Sequence, residues 1–441
     1  MDTSSLPTRL TLALKSNNPD FIFDSRLTKA GSIFVALTTG ARNGNDFAEN
    51  AMQNGASFLI LSEVPKFGIS PDFYLVVPDT LEFVSKLARL KFSKLHAAGV
   101  KTIAITGSIG KTTTKEFAAH VLSVHGKVYC TRGNYNNNIG LPFTILNCPM
   151  DVAFCILELG MNHAGEIHGL IQIAPCDIRI ISSIEEVHTE NFPDGIVGVA
   201  KAKGEIFETS SERTFAIIPS NLQHKNIALA KVGFRVHEVD VDGIRNYETQ
   251  NGITSFEYCG RKFLLNYSKP KRWLSNILIG FKILEVLGLE LPKSINEFQI
   301  LDGRGRVFVI KNTTIIDDSY NASPISMIAA IDTIKSYSGS KLAILGDMKE
   351  LGRISRDRHA EVLKYAIENV DFVITVGDCM MDAVAGLVAQ PDSVMSFGNV
   401  ADLQEFSTQN PDFYFKFSTI IIKGSHSVNL QKFVSFLEIS K

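Results

Sequence analysis

The sequence predicts an α/β protein of three successive regions, the middle one a parallel sheet with helices on both faces. Three observations predict it. From Val100 onward, short buried-strand runs alternate with helical stretches, the βαβ pattern of a helix-covered parallel sheet. A glycine-bearing loop at residues 106–113 stands between one of these strands and a helix. From about residue 301 the alternation restarts, so a second α/β unit of Rossmann type follows.

In chain order, residues 1–98 form a small α/β unit. Apolar runs at 32–37, 57–61 and 74–78 read as buried strands, and 79–98 reads as a helix with Leu81, Val84, Leu87, Ala88 and Leu95 on one face. Gly99 marks a boundary. The second unit spans 99–300. Its strands lie at 100–105, 152–157, 178–182 and 214–218, and a helix at 112–125 is closed by Gly126 as its C-cap residue. The third unit spans 301–441, with strands at 307–311, 313–316, 342–345, 372–376 and 419–422.

Composition narrows the function. Hydrophobic residues make up 45% and charged residues 20% of the 441 residues, which fits several true cores and no disordered class. Net charge is −2 and no basic run occurs, so nothing points to nucleic acid. No apolar run reaches the ~18 residues of a membrane span, and the N-terminus has no signal-peptide pattern. The six cysteines lack metal-ligand spacing and read as reduced core thiols of a cytoplasmic protein.

The loop Thr106-Gly107-Ser108-Ile109-Gly110-Lys111-Thr112-Thr113 carries the chemistry. Backbone N–H groups at a helix start form an anion site, and Gly107 and Gly110 let the chain close on a phosphate. Ser108 and Thr113 belong to the same cradle. Lys111 would reach terminal phosphates and Thr112 would meet Mg²⁺. The usual phosphate-loop pattern places its first glycine where Ile105 stands here.

Three further side chains have both a chemical and a bland reading. Glu158 ends a strand beside the loop strand, where a carboxylate can hold Mg²⁺ or simply face solvent. His188 follows the next strand and is a candidate second ligand or an ordinary loop histidine. Lys203 falls in an amphipathic helical stretch, where spacing alone reads it as a solvated lysine.

Several motifs together resemble the Mur ligases, and most closely the branch that adds a dipeptide. The loop at 106–114 looks like the Mur ligase ATP loop. Gly133-Asn-Tyr-Asn-Asn-Asn-Ile-Gly140-Leu-Pro142 is similar to the family's Gly-Asn-x-Asn-Asn-x-Ile-Gly-x-Pro segment. Glu158-Leu-Gly-Met-Asn-His-Ala-Gly-Glu-Ile167 resembles its metal-glutamate segment. Asp317-Asp-Ser-Tyr-Asn-Ala-Ser-Pro324, Leu345-Gly-Asp-Met-Lys-Glu-Leu-Gly352 and Asp24-Ser-Arg26 are similar to signatures of the dipeptide-adding branch. Together they touch all three regions.

The resemblance implies a three-domain Mur ligase architecture and an ATP-dependent amide ligase acting through an acyl-phosphate. Its substrates would be a UDP-N-acetylmuramoyl-tripeptide and D-Ala-D-Ala. Residues 1–98 would receive the UDP end through Ser25 and Arg26, 99–300 would bind ATP, and 301–441 would contact nucleotide and amino substrate. Thr112, Glu158 and His188 would hold two Mg²⁺ ions, and Lys203 would be carbamylated by CO₂. Asn276, Arg304, Asp318 and Asn321 would meet the nucleotide, with Arg306 an alternative register to Arg304. Asn134, Asn137, Asn138 and Lys423 would meet substrate, and the enzyme would work as a monomer.

The sequence departs from the family pattern at four places. Ser183 stands where an Asn precedes the metal His. Arg272-Trp273-Leu274-Ser275-Asn276 stands for the adenine motif His-Asn-x-x-Asn, so Trp273 replaces the first Asn. Asn43-Gly44-Asn45 replaces Asp-Gly-His, and His426 replaces an Arg that would fork onto a carboxylate. Two alternatives stay open here. One is another Mur or folate-type ligase, although the Asp-Asn-Pro-Arg signature of the diaminopimelate-adding sister is absent. The other is a nucleotide-binding homologue without catalysis.

Overall fold

The computed structural model describes residues 6–15, 20–38, 40, 42–208 and 214–439. The first unit is a four-stranded parallel sheet of β1 (Phe21–Ile22), β2 (Ile33–Val35), β3 (Phe58–Leu61) and β4 (Tyr74–Val76), in that spatial order. Asp79 caps the helix Thr80–Ala97 by accepting from Glu82 N at 2.9 Å. That helix buries Val84, Leu87, Ala88, Phe92 and Leu95, a single face at helical spacing. It packs on the helix Gly140–Leu146 of the middle unit. Asn147 binds both N and O of Phe21, at 2.6 and 2.9 Å, which fixes β1 to the middle unit.

The middle sheet contains β5 (Lys101–Thr106), β6 (Val128–Cys130), β7 (Phe154–Glu158), β8 (Ile178–Ile181), β9 (Phe215–Pro219) and β10 (Arg235–Val239). Its spatial order is β10-β9-β8-β5-β7-β6, all parallel. The chain leaves β5 toward one side and later returns to its other side. This opens a crevice at the carboxyl ends of β5, β7 and β8. One face is covered by the helices Lys111–Leu122 and Ser275–Val286, which touch where Gly280 leaves room only for the ring of Phe117.

An antiparallel meander of β11 (Arg245–Gln250), β12 (Ile253–Tyr258) and β13 (Arg261–Leu265) follows. The last sheet joins β14 (Arg306–Ile310), β15 (Thr313–Asp317), β16 (Lys341–Gly346), β17 (Phe372–Val376), β18 (Val394–Phe397) and β19 (Thr419–Lys423). Its order is β14-β15-β19-β16-β17-β18, parallel except for the β14–β15 hairpin.

Four readings of the sequence need correction. The helix after the phosphate loop ends at Leu122, not His125, and Gly126 is not its cap. Ser123 Oγ donates to His120 O at 2.7 Å and closes the last turn, while Gly126 makes room for Ala153. The meander escapes notice because β11 has no apolar face, its residues being exposed or half-buried throughout. Lys203 is not solvated: it is 2% exposed, and its neighbour Lys201 takes the solvent position, paired with Asp194 at 2.9 Å. The cysteines are not all core thiols, since Cys259 is exposed.

Candidate active site

Between β5 and the helix Lys111–Leu122 the chain turns on two glycines in the left-handed region, Gly107 (φ 151°) and Gly110 (φ 86°). A Cβ at the first would collide with Ser182 Oγ, and at the second with Asn276 Oδ1, so both positions require glycine. Ile105, at the place of the usual first glycine, is a buried residue of β5. The loop is held on its far side by the 182–185 segment. Ser108 N donates to Ser183 O at 3.0 Å, Ile109 N to Ser183 Oγ at 2.8 Å, and Glu185 N to Ser108 Oγ at 2.9 Å.

Lys111 folds back over this loop and donates to Gly107 O at 2.6 Å. Burial lowers the pKa of its ammonium, Glu158 raises it, and Arg304 lowers it further. Glu158 is buried at the end of β7. Its carboxylate accepts from Thr112 Oγ1 at 2.8 Å and from Asn136 Nδ2 at 2.9 Å, and lies 3.9 Å from Lys115 Nζ. A hydroxyl beside a carboxylate is a hard-oxygen pair that suits Mg²⁺. Lys115, also buried, donates to Thr131 O at 2.6 Å.

The side chain of Lys203 makes no hydrogen bond or ion pair among the described residues. Burial drives its pKa well below the ordinary lysine value, and the Lys111 ammonium adds to the shift. His188 does not line the cavity that Glu158 and Thr112 line. It adopts a left-handed backbone (φ 62°), and its Nδ1 lies 2.5 Å from Glu350 Oε2 of the last unit, at ion-pair distance but poorly directed for a hydrogen bond. Arg358 and Glu186 form a second bridge between these units at 2.7 Å.

The carboxyl end of β15 and β19 faces the phosphate loop across a cleft of about 560 Å³. Arg304 lines it, its guanidinium stacked 4.0 Å from the centre of the Tyr320 ring. Arg306 lies away from it, bridged to Asp302 at 2.9 Å and Glu438 at 3.1 Å. Asp318 pairs with Lys423 at 2.8 Å, and Lys423 also donates to Asn321 O at 2.8 Å. Asn276 borders the cleft, but its amide is committed: Oδ1 accepts from Thr114 Oγ1 at 3.0 Å and Nδ2 donates to Trp273 O at 2.8 Å.

The other substrate candidates are dispersed. Arg26 is exposed and forked onto Asp24 at 2.9 and 2.6 Å, while Ser25 is buried. Phe23 beside them packs edge-on against Tyr135 and Phe143 of the middle unit. Asn134, Asn137 and Asn138 are exposed, and Asn137 Oδ1 accepts from Gly140 N at 2.8 Å. Sequence reasoning missed Asn136, Lys115 and Glu185. Only Asn136 left a trace, as the first residue of an Asn-Asn-Asn run. Asp347, His359 and Cys379 also cluster in the last unit. His359 is saturated there, accepting from Met348 N at 2.9 Å and bonding Ser355 O at 2.7 Å.

The Mur ligase middle domain family model matches residues 105–272, and that of the Mur ligase, glutamate ligase domain matches residues 303–425. The UDP-N-acetylmuramoyl-tripeptide–D-alanyl-D-alanine ligase of Rickettsia prowazekii is 30% identical over 99% of both chains. That of Escherichia coli is 31% identical over 80% of both. Among solved structures, MurF from Acinetobacter baumannii superposes with a TM-score of 0.84 at 24% identity, over 98% of both chains. The MurF ligase of Thermotoga maritima, solved in complex with ADP, gives a TM-score of 0.81 at 25% identity, over 97% of this chain and 98% of that one.

Proposed function

Because the chain belongs to the Mur ligase family, we propose that it is the ATP-dependent ligase joining D-alanyl-D-alanine to a UDP-N-acetylmuramoyl-tripeptide in peptidoglycan synthesis. The observation that carries this reading is the convergence of Lys111, Thr112 and Glu158 at one sheet edge, facing Arg304 and Asp318 across the cleft. It is supported by a likeness to such a ligase along 99% of the chain.

The phosphates of ATP rest on the backbone of the 107–112 loop, with Lys111 on the terminal phosphates. Arg304 and Asp318 approach phosphates and ribose from the other side, and Asn276 and Asn321 border the nucleotide. Thr112 and Glu158 would hold Mg²⁺, with His188 a ligand of a second ion; once bound, the ions neutralise charge on the transferred phosphoryl group. The tripeptide carboxylate attacks the γ-phosphorus and ADP leaves. The dipeptide amine then attacks the acyl carbon, and the tetrahedral adduct expels phosphate to leave the amide. Closure of the cleft keeps water from the acyl-phosphate.

Ser25, Arg26, Asn134, Asn137 and Asn138 take the UDP-linked substrate, and Lys423 meets the dipeptide carboxylate. The buried amine of Lys203 adds to CO₂ and releases a proton, which yields a carbamate. That step places a negative charge near the Lys111 ammonium. The enzyme acts as a cytoplasmic monomer, and all these residues come from one chain.

Phosphate release tests the reading. With all three substrates release is expected, and omission of the dipeptide should abolish it. No release with all three present would sink the ligase assignment. Lys203→Ala should lose most activity, and added bicarbonate should not restore it; full activity in that variant would remove the carbamate.

A further inference from the structure

Glu185 is a half-buried residue whose carboxylate the reaction above does not use. It lies on the cleft wall beside the phosphate loop, fixed by two hydrogen bonds between its backbone and Ser108: N to Oγ at 2.9 Å and Oγ to O at 3.2 Å. Its side chain accepts no hydrogen bond from any described residue, and Oε2 is wholly buried. Among the described residues lining the cleft, it holds the one buried side-chain oxygen left without a partner. A buried acceptor without a donor costs free energy, so the position makes sense once a ligand brings a donor.

The surroundings identify that donor. Burial pushes the Glu185 carboxyl up to about 7, while the Arg272 guanidinium pulls it back and Glu186 adds to the rise. Arg272 directly precedes Trp273, and both line the cleft. With its phosphates on the 107–112 loop, a nucleotide would lay its base along this wall. Two polar side chains near this wall are already engaged elsewhere. Asn276 spends both ends of its amide on Thr114 and Trp273, and Ser183 Oγ is closed on Ile109 N and O at 2.8 and 3.0 Å.

We propose that Glu185 accepts a hydrogen bond from the exocyclic amine of adenine and so sets the preference of this chain for ATP. Guanine and hypoxanthine present a carbonyl at that position, which an acceptor rejects. Ribose hydroxyls are the other donors a nucleoside carries, so the test separates them from the amine.

The inference rests on the nucleotide-binding part of the proposed function, and its test needs no amide formation. Trp273 is the only tryptophan of the chain and lines the cleft, so its fluorescence reports nucleotide binding. Wild type should bind ATP about 10- to 100-fold more tightly than purine riboside triphosphate, which lacks only the amine. Glu185→Ala should bring that ratio near one and leave the affinity for inorganic tripolyphosphate unchanged. Glu185→Gln, which keeps the shape and adds a donor, should bind inosine triphosphate more tightly than wild type does. The proposal is overturned if wild type does not distinguish the two purine nucleotides, or if Glu185→Ala leaves their ratio intact. It is equally overturned if the variant changes discrimination against 2′- or 3′-deoxy-ATP instead, or alters tripolyphosphate binding as much as ATP binding.

Discussion

The two large sheets present carboxyl ends to one cleft, yet they treat charge in opposite ways. At the middle sheet, the Lys111 ammonium bonds only backbone oxygen, the Lys203 amine has no partner, and the Glu185 carboxylate accepts from nothing among the described residues. At the last sheet, Asp318 is paired with Lys423 at 2.8 Å, and Asp347 with Lys349 at 2.8 Å. Asp317 there accepts from Gly303 N at 2.9 Å and from Ser319 Oγ at 2.5 Å. Unpaired buried charge is costly and marks the edge where ligand arrives. Internal pairing marks the edge that holds its shape and is carried to the ligand.

Substitutions at the two edges should therefore differ in kind. Lys111→Ala is expected to lower kcat on the order of 10³-fold with little change in thermal stability, because it removes a charge aimed at the transferred phosphoryl group. A loss below tenfold would break the contrast. Asn136→Ala removes the 2.9 Å bond that orients Glu158, and steady-state kinetics should show roughly a 10-fold loss of kcat with raised Mg²⁺ demand.

At the last sheet the effect moves to stability. Asp347 accepts from Met380 N at the start of a helix (2.9 Å) and pairs with Lys349. Asp347→Ala should cost about 2 kcal/mol in denaturant unfolding while leaving ATP affinity within about twofold. A large loss of ATP affinity there would place ligand contact where the comparison puts scaffold. The smallest effect is expected for Arg358→Ala, which opens a half-exposed bridge to Glu186 and should cost less than about 1 kcal/mol.

Sequence patterning disclosed the parallel sheets because their strands are buried on both faces and read as continuous apolar runs, as at Ile33–Val35 and Phe58–Leu61. The meander at 245–265 was illegible because its first strand has no buried face. Within the site, the phosphate loop and Glu158 were visible because strand, loop and helix follow one another along the chain. Lys203 was legible only through family likeness, since helical spacing placed it in solvent and only tertiary packing buries it. Glu185 and Lys115 were invisible for the same reason: an acidic pair and a helix lysine look solvated until the fold closes over them. His188 was legible as a candidate, but its meeting with Glu350 joins segments far apart in sequence.

The central claim is that this charged edge activates a carboxylate by phosphorylating it. Incubating the enzyme with ATP, D-Ala-D-Ala and UDP-tripeptide labelled with ¹⁸O in its terminal carboxylate tests that directly. Mass analysis of the inorganic phosphate should find one ¹⁸O per turnover, carried over when the acyl-phosphate breaks down. Unlabelled phosphate formed alongside amide would contradict the acyl-phosphate route.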